Sequence, residues 1–372
     1  MPWKDSNSET SPIVRALVSI AEFDWDAYER SWDFQSFPLF NAPAPSACTL
    51  KSSYAYWISQ NRAAIDRMSS LEEENNRLFI DTYGLVGELT PDVPIEQVTL
   101  TVNPAYRYGG NLSEQEQWAR FRQDTMAELI SYAIGCMMGR YSLDEPGLIY
   151  ANAGNIGFDA TRYKTFPADS DGIVPITDEL WFDDDASNRV REFLKAVWGA
   201  ETLDENMDWL AASLGKKGTE TPEETIRRYL STSFYKDHLQ TYKKRPIYWH
   251  FSSGKQGAFQ ALVYLHRYHE GTLSRLRAEY VVPLTGKIQS RIEMLEIDRD
   301  ASSSTAARTK IAKQIESLKK KHVELLAYDE KLRHYADRRI QLDLDDGVKV
   351  NYGKFGDLLA EVKAVTGGGG DD

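Results

Sequence analysis

The stretch that decides the fold is SSSTAARTKIAKQIESLKKKHVELLAYDEKL, residues 302–332. Its apolar residues recur every seven positions, with one more between the first two: Ile311, Ile315, Leu318, Leu325 and Leu332. Such a repeat on a helix marks a seam that packs against another helix. The serine-rich start reads as a turn, and a partner helix is predicted by the apolar residues before it: Leu284, Ile288, Ile292 and Leu295. The sequence therefore predicts an antiparallel helical hairpin.

The residues before the hairpin predict a strand followed by a long helix. Pro246–Phe251 reads as a strand, and Ser253 with Gln256 fits the capping box that begins many helices. This helix is expected to continue toward the serine-rich turn, with Pro283 interrupting its path. Together with the hairpin, it predicts a fold in which helices predominate.

Two further helices are predicted in the N-terminal half. From Leu50 to Ile80, apolar residues follow the i, i+3, i+4 spacing of an amphipathic helix. Ser113 and Glu116 form a capping box that begins another helix. Between them, Val98–Val102 alternates as a short strand. After residue 145, short apolar runs separated by Gly, Asn, Asp and Pro indicate mixed α/β structure, with helices around Val190 and Ile226.

Composition places the chain among ordinary globular proteins. Hydrophobic residues make up 42% and charged residues 27% of its 372 residues, which excludes collagen-like, mucin-like and wholly disordered chains. No window approaches 18 uninterrupted apolar residues and no secretory signal pattern begins the chain, so no membrane span or export is expected. Two cysteines, Cys48 and Cys136, form no disulfide framework or zinc site alone, and a cytoplasmic location is predicted.

The net charge of −12 hides an asymmetry along the chain. Residues 243–339 hold 20 Lys and Arg against 11 Asp and Glu, whereas the remainder is strongly acidic. A basic segment on an acidic body suits a surface that contacts the phosphates of nucleic acid. A basic helical face is also typical of an ordinary solvated surface. Charge therefore leaves both interpretations open.

Three short patterns suggest chemistry, and none carries it alone. Asn103-Pro104-Ala105-Tyr106 is close to the Asn-Pro-Pro-Tyr motif of amino-methyltransferases, but no glycine-rich cofactor loop precedes it, which favours a structural turn. The acidic run Asp169–Asp185 lacks the spacing of a Ca²⁺ loop, which favours a solvated loop and helix N-terminus. His266 and His269 are three residues apart without a nearby carboxylate or Cys, so no metal is predicted.

Longer strings are more specific than these patterns. The longest is ISYAIGCMMGRYSL, residues 130–143, and the others occur around it in a fixed order: EFDWD (22–26), SWDF (31–34), NPAYRYG (103–109), PITD (175–178), RPIYW (245–249) and DDGVKVNY (345–352). Together they resemble the C-terminal part of the adenine-specific DNA methyltransferase of BREX phage-defence systems, the PglX family. The resemblance spans about residues 20–366.

The resemblance implies that catalysis lies outside this chain. In that family, the S-adenosylmethionine site and the Asn-Pro-Pro-Tyr motif belong to a methyltransferase domain N-terminal to this portion. This chain alone is then expected to be inactive and to bind no cofactor. The family also implies N6-methylation of adenine in a short non-palindromic site, for host DNA modification and phage defence. The implied partners are double-stranded DNA, the missing N-terminal methyltransferase half and other BREX proteins, with no membrane partner.

Sequence and resemblance together predict an α+β, predominantly helical fold with a mixed α/β DNA-recognition region and a long antiparallel helical hairpin. The predicted regions are 1–50, an extended aromatic connector from the missing methyltransferase domain; 51–144, a helical hinge region; 145–254, a mixed α/β target-recognition region; 255–340, a helical hairpin or clamp; and 341–372, a terminal β-hairpin, helix and flexible tail.

The predicted DNA contacts are mostly cations that would meet phosphates, and no residue is assigned to base readout. They are Arg107, Lys243, Lys244, Arg245, Tyr248, Lys255, Lys319, Lys320, Lys321, Arg338 and Arg339. Two other functions stay open. An interaction scaffold for BREX or other defence proteins would bind DNA weakly and without salt dependence. An autonomous enzyme using Asn103 to Tyr106 would bind S-adenosylmethionine.

Overall fold

Helices and one small antiparallel sheet make up a computed structural model that describes residues 3–41 and 48–367. The helices are α1 (Trp3–Asp26), α2 (Leu50–Tyr83), α3 (Pro104–Tyr108), α4 (Glu114–Met137), α5 (Ala186–Trp198), α6 (Leu203–Ser213), α7 (Pro222–Thr232), α8 (Phe234–Thr241), α9 (Thr272–Arg275), α10 (Val282–Ala301), α11 (Thr305–Asp337), α12 (Gly347–Gly353) and α13 (Val362–Thr366). The strands are β1 (Ile173–Ile176), β2 (Tyr248–Ser252) and β3 (Gln260–Tyr264). The predicted class, α+β with helices predominant, is confirmed. Among the described residues, no helix is long and apolar enough to cross a membrane.

The chain divides into two compact units. The first unit comprises Met1–Tyr132 and Val197–Gly215, and the second comprises Ala133–Ala196 and Lys216–Asp372. All three strands and the paired helices α10 and α11 belong to the second unit. The five predicted regions were defined by role, and they stay predictions.

The long helix α2 is the central element of the first unit, as its apolar spacing predicts. Thr49 caps its N-terminus by accepting a hydrogen bond from the Ser52 N–H at 3.2 Å, and Gly84 ends it with a φ of 69°. On its buried face, Trp57 stacks on Phe121 of α4 with ring centroids 5.4 Å apart. The predicted helix beginning after Ser113 is α4, and the Ser113–Glu116 capping box is present.

The first residues form helix α1, although the sequence predicts an extended segment there. The residues that obscure the helical period are exposed aromatics: Phe23 is 74% and Trp25 is 52% exposed. The helix packs against α2, and this tertiary contact stabilises it in place of a regular apolar stripe. Residues 42–47 of the predicted connector lie outside the described residues.

The predicted strand at Val98–Val102 is also wrong, because these residues form irregular backbone. The Asp24 carboxylate on α1 accepts hydrogen bonds from the Thr101 N–H at 2.6 Å and the Val102 N–H at 2.9 Å. Since a side chain satisfies these buried donors, no neighbouring strand is needed. The alternation reflects burial of Val98, Leu100 and Val102 against helices.

The sheet has the strand order β1-β3-β2, with both pairings antiparallel. Nearly all of its residues are buried, so both faces are covered. Pro175 lies in the edge strand β1, where the lack of an N–H breaks no central hydrogen bond. The outer edge of β2 is covered by the C-terminal segment, whose Ala360 N–H donates to the His250 carbonyl at 2.8 Å. The β2 edge is therefore covered, and the β1 edge is short and carries a proline.

The predicted helix start at Ser253 is wrong, because Ser253–Phe259 forms the turn between β2 and β3. Glu324 on α11 holds this turn in place. Its carboxylate accepts hydrogen bonds from the Ser253 hydroxyl at 2.7 Å, the Gln256 N–H at 2.7 Å and the Ala258 N–H at 3.1 Å. A carboxylate distant in sequence thus satisfies donors that the local pattern assigned to a helix cap.

The antiparallel hairpin of α10 and α11 is confirmed. Ser304 caps α11 by accepting from the Ala307 N–H at 3.3 Å. The helix leading into α10 begins at Thr272 and passes through a π-helical segment, Leu276–Val281. Pro283 follows this segment, and since proline offers no N–H to the carbonyl four residues earlier, the wider hydrogen bonding accommodates it.

The predicted terminal β-hairpin is wrong: a 3₁₀ turn at Leu344–Asp346 leads into helix α12. Val350 is exposed in this helix, whereas Tyr352 and Phe355 are buried against β2. The alternation of Val348 and Val350 predicts a strand, but no described strand pairs with these residues. Tyr352 and Phe355 pack on Trp249 of β2 instead. The short helix α13 follows, and all of the predicted tail after Gly367 lies outside the described residues.

We predict opposite effects for alanine at two helical glycines. At Gly135 in α4, a Cβ would lie 2.5 Å from the Tyr141 ring and 3.0 Å from the Tyr248 hydroxyl, so Gly135→Ala should lower the free energy of unfolding by about 1–3 kcal/mol. At Gly286 in α10, nothing lies within 4 Å, and Gly286→Ala should raise it by up to about 1 kcal/mol. Urea unfolding followed by circular dichroism measures both changes. Equal effects at the two positions would contradict this packing.

Candidate nucleic-acid interface

Three consecutive basic residues, Lys243–Arg245, follow helix α8 and are called the basic turn below. The Lys243 N–H donates to the Gln240 carbonyl at 3.2 Å and the Lys244 N–H to the Leu239 carbonyl at 2.7 Å. Lys243 and Lys244 have φ values of 49° and 61°, a left-handed conformation that costs a non-glycine residue about 1–2 kcal/mol. All three side chains are exposed, and none pairs with a carboxylate among the described residues. The turn therefore presents three unpaired cations on strained backbone, a combination found at functional sites.

Arg338 and Arg339 lie at the same end of the sheet as the basic turn. The Tyr268 hydroxyl, just after β3, donates to the Ile340 carbonyl at 3.0 Å and ties the end of α11 to the end of β3. At that end of β3, the Leu265 N–H donates to the carbonyl of Ile247, which follows the basic turn, at 3.0 Å. Arg338 and Arg339 are both exposed. These contacts bring five of the predicted cations to one end of the sheet.

A second group of predicted contacts lies at the opposite end of β2. Lys255 is exposed in the turn between β2 and β3, and Lys319–Lys321 precede Glu324, which holds that turn. The three lysines on α11 all have acidic partners: Lys319 with Glu296 at 2.7 Å, Lys320 with Glu316 at 2.8 Å, and Lys321 with Asp178. Exposed pairs of this kind add little stability, but each carboxylate offsets a cation.

The predicted basic segment thus forms two groups instead of one patch, with the length of β2 between them. The group around the basic turn keeps more of its positive charge. In the described part of the chain, its ion pair is that of Arg339 with Glu270, long at 3.9 Å. The group around Lys255 is largely neutralised. We therefore place the candidate interface at the basic turn with Arg338 and Arg339.

Two predicted contacts do not fit the structure. Tyr248 is fully buried in β2, between the rings of His238 at 4.9 Å and Tyr264 at 5.7 Å, so its side chain does not reach a ligand on the surface. Arg107 belongs to the first unit and is paired with Glu128 at 2.9 Å. A further carboxylate, Asp124, lies 3.5 Å from the same guanidinium nitrogen. Both side chains have structural roles here.

The Asn103-Pro104-Ala105-Tyr106 segment is a helix cap, in agreement with its interpretation as a structural turn. Asn103 is buried, and its amide Nδ2 donates to the carbonyls of Ile95 at 2.7 Å and Val98 at 2.8 Å. Its Oδ1 accepts from the Ala105 N–H at 3.1 Å at the start of α3. The amide therefore has partners on both sides and stabilises the backbone around it.

The acidic run between Asp169 and Asp185 is less solvated than predicted. Asp185 is fully buried, caps α5 through the Ser187 N–H at 3.1 Å, and pairs with Arg227 at 2.8 Å. Asp171 is buried, and the desolvation of its carboxyl raises its pKa to about 8. The prediction that an acidic residue lies at a helix N-terminus is correct for Asp185. The prediction of a solvated loop is wrong for Asp171 and Asp185, because both are buried. Among the described residues, no cluster of three His, Cys, Asp or Glu side chains could hold a metal ion.

Sequence reasoning missed one residue of the second unit that stands out in the structure. Arg140 follows α4 and lies among aromatic side chains, with its Nε 3.0 Å from the Tyr141 hydroxyl and its Nη1 3.4 Å from the Tyr264 hydroxyl. Arg140 lies in the string of residues 130–143, which in the sequence carries only a resemblance to a family. The string therefore marked this segment of the chain, but no rule of residue spacing predicts a function for Arg140 itself.

Comparison with known proteins identifies the class: the chain is homologous to part of adenine-specific methyltransferases. It is 48% identical over 371 residues to the adenine-specific methyltransferase BrxX of Escherichia coli O9:H4 (strain HS), covering 97% of this chain and 30% of that protein. It is 38% identical over 368 residues to the adenine-specific methyltransferase PglX of Lacticaseibacillus casei (strain Zhang), covering 98% of this chain and 29% of that protein. The predicted resemblance to the PglX family is confirmed, and the coverage is consistent with a C-terminal portion. No protein family model matches the chain.

We predict that replacing Asn103 affects stability. Asn103→Ala removes three hydrogen bonds and leaves buried backbone groups without partners, so the free energy of unfolding should fall by about 2 kcal/mol or more. Asn152 precedes a 3₁₀ turn without making a side-chain cap and is exposed, so Asn152→Ala is the matched control and should change stability by less than about 0.5 kcal/mol. Chemical unfolding measures both. An unchanged stability for Asn103→Ala would contradict the capping role.

We predict that Asp171 makes stability depend on pH. Its folded-state pKa of about 8 lies above the unfolded value of 3.8, so the folded protein holds a proton that the unfolded chain releases between these values. Its contribution to stability is therefore complete below pH 3.8 and is lost as the pH rises toward 8. Relative to Asp171→Asn, the wild type should weaken by about 1 kcal/mol per pH unit between roughly pH 5 and 8.

The difference between wild type and variant is the quantity to measure, by urea unfolding at several pH values, because titrating groups other than Asp171 and its neighbour Asp169 then cancel. Asp183 is exposed, and Asp183→Asn serves as the control. A difference between wild type and Asp171→Asn that does not vary with pH would show that the carboxyl is ionised in the folded protein.

Proposed function

We propose that this chain is the DNA-binding, target-recognition portion of an adenine-specific methyltransferase, and that the rest of that protein supplies catalysis and S-adenosylmethionine. The observation that carries the proposal is the basic turn, together with Arg338 and Arg339, on a chain homologous to part of such enzymes. Among the described residues, Arg339 alone of these five exposed cations has an acidic partner, Glu270 at 3.9 Å. Such cations suit the phosphates of duplex DNA, whose contacts position a protein for base readout.

The proposed setting is a BREX system that methylates host DNA and excludes phage. The partners would be double-stranded DNA, the methyltransferase portion of the same enzyme and other BREX proteins. Phosphate contacts carry no sequence information, so base readout would come from loops near the basic turn. The location would be the cytoplasm, where the DNA is.

We predict that DNA binding by this chain falls steeply with salt and depends on the basic turn. Each phosphate contact contributes a slope of about −0.9 to the dependence of log K on log salt for duplex DNA. Replacing Lys243, Lys244 and Arg245 together by Gln should therefore make the slope about three smaller in magnitude. Fluorescence anisotropy with a labelled duplex at several salt concentrations measures both the affinity and the slope.

The matched control has the same change in charge. Arg308, Lys310 and Lys313 are exposed near the tip of the hairpin, and replacing these three by Gln should leave the salt slope within about one of the wild-type value. A triple basic-turn variant that binds like the wild type would contradict the proposed interface. Weak binding of the wild type with no salt dependence would contradict DNA binding as the function.

Reconstitution tests the specificity role. The chain is mixed with the separately expressed remainder of a relative, and N6-methyladenine is mapped on plasmid DNA. We expect methylation at one defined site only when both parts are present. Methylation by this chain alone would overturn the proposed division of labour. Methylation by the remainder alone at the same site would remove the specificity role.

A second candidate function, a protein-interaction scaffold, is favoured by the exposed aromatics of the first unit. Trp32 is 96% and Phe23 is 74% exposed. A cavity of about 620 Å³ lies beside them, lined by Val18, Ala21, Glu22, Trp25, Asp26 and Asp33. Large exposed apolar side chains beside a cavity are typical of protein–protein contacts.

For this scaffold we predict that replacing Phe23 and Trp32 by Ser weakens association with the separately expressed remainder of a relative by about tenfold or more, since exposed aromatic anchors dominate such contacts. Calorimetric titration measures the affinity, and replacing the exposed Val323 and Leu326 on α11 by Ser is the control. Unchanged binding by the aromatic variant would remove this candidate.

A further inference from the structure

A cluster of tyrosine and histidine side chains surrounds Arg140 in the second unit, and together with Arg140 it is called the arginine cluster below. It consists of Arg140, His238, Tyr242, Tyr248, Tyr264 and His266. Arg140, Tyr242 and His266 are half-buried and form its solvent-facing side, whereas the other three are buried. The cluster is thus in contact with solvent through the arginine itself.

The turn after α4 fixes the position of Arg140. Gly139 has a φ of 76°, and the Arg140 N–H donates to the Gly135 carbonyl at 2.8 Å, which ends the helix in the manner of a Schellman motif. Neither glycine has room for a Cβ: at Gly139 it would lie 2.6 Å from the Phe158 ring, and at Gly135 2.5 Å from the Tyr141 ring. The backbone is therefore pressed against aromatic rings, and Arg140 is held in one place.

Arg140 has few acceptors for its donors. Its Nε and Nη1 meet the hydroxyls of Tyr141 at 3.0 Å and Tyr264 at 3.4 Å, and its Nη2 has no hydrogen-bond partner among the described residues. It makes no ion pair with a carboxylate in that part of the chain. By contrast, the buried Arg267 donates to the Asn155 side chain and to the carbonyls of Asp169 and Ser170 at 2.6–3.0 Å. Each guanidinium nitrogen of Arg267 therefore has an acceptor, whereas in Arg140 only Nε and Nη1 do among the described residues.

The two histidines of the cluster add donors without adding an anion. Burial, followed by the Arg140 cation, lowers the pKa of His238 to about 3 and that of His266 to about 4, so both rings are neutral near pH 7. His238 Nε2 accepts hydrogen bonds from the Ile247 N–H at 3.1 Å and the Tyr248 N–H at 3.2 Å. In a neutral ring the other nitrogen then carries the hydrogen. This Nδ1–H donor has no acceptor among the described residues.

A partly desolvated cation with no anion is an unfavourable arrangement unless something compensates it. The carbonyls at the C-terminus of α4 offer about half an elementary charge of compensation. Tyr264 offers none as an anion, because burial raises the pKa of its hydroxyl. An external anion would satisfy both the free guanidinium donor and the charge.

Resting on the proposed function, we propose that the arginine cluster binds a phosphate group of the DNA backbone, with Arg140 as its main ligand. The guanidinium presents paired donors that match the oxygens of a phosphate. The basic turn follows Tyr242 directly in the chain, so three exposed cations adjoin the cluster. A polyanion with regularly spaced phosphates can occupy both, whereas a small phosphate compound would occupy the cluster alone.

Inorganic phosphate is the first probe. Thermal unfolding of the full chain is measured in phosphate and in chloride at equal ionic strength, for the wild type, Arg140→Gln and Arg140→Lys. We expect phosphate to raise the melting temperature of the wild type and to have no such effect on Arg140→Gln. Its effect on Arg140→Lys should be weak, because lysine keeps the positive charge but lacks the planar, paired donors of a guanidinium. Arg291→Gln, at an exposed position of α10, is the control and should respond like the wild type.

Duplex DNA is the second probe. Arg140→Gln should weaken DNA binding by about tenfold or more, as expected for the loss of a charge-assisted hydrogen bond, and should make the salt slope about one smaller in magnitude. Inorganic phosphate should compete with DNA for the wild type more strongly than chloride does at equal ionic strength. This competition needs no variant, so its absence would overturn phosphate binding even if Arg140→Gln does not fold.

The outcomes separate this inference from the proposed function. If DNA binding depends on the basic turn but neither on Arg140 nor on phosphate, the arginine has a structural role and the inference is wrong while the proposed function stands. If phosphate stabilises the wild type but DNA does not bind, the proposed function is wrong and a free phosphate compound is the ligand. No difference between phosphate and chloride in either assay would overturn phosphate binding by the cluster.

Discussion

The arrangement of the second unit depends on one constraint, the burial of a three-stranded sheet on both faces and at its β2 edge. A sheet of this size has little stability alone and needs cover. Phe259 beside β3 packs on Tyr280 and Tyr328 of the hairpin region, with ring centroids 6.4 Å apart in each case. The C-terminal segment contributes Phe355, whose ring lies 5.4 Å from that of Trp249 in β2. Elements distant in sequence therefore meet at the sheet.

The charged groups buried by this packing are mostly satisfied by partners distant in sequence. Glu324 on α11 accepts three hydrogen bonds from the turn between β2 and β3, and Asp185 pairs with Arg227 while capping α5. Leaving any of these groups without a partner would cost more than the pair contributes. Arg140 departs from this pattern, and Tyr242, its neighbour in the cluster, is followed directly in the chain by the basic turn. A cation without an anionic partner among the described residues is a candidate group for binding a ligand.

The distribution of charge supports contact with an extended polyanion more than with a small anion. Cations at the start of β2 and at the end of α11 come together although they are almost a hundred residues apart. Lys319–Lys321 on α11 are conspicuous in the sequence as three consecutive lysines. Each is paired with a carboxylate, so they add less positive charge to the surface. Net charge over a segment is thus a weak guide to an interface, because neighbours from other elements decide which charges remain.

The sequence by itself determined the helices with a long regular apolar period or a local cap, namely α2, α4 and the α10–α11 hairpin, because those signals lie within a few turns of chain. It also determined the homology, through strings such as residues 130–143. Only the tertiary structure decided that Val98–Val102 is irregular, that Ser253 begins a turn, that Tyr248 is buried and that Arg140 has no anionic partner among the described residues. In the first two cases the deciding group is a carboxylate distant in sequence, Asp24 or Glu324, and a local pattern carries no information about it. The surroundings of Tyr248 and Arg140 are set by packing between elements, which a local pattern does not contain either.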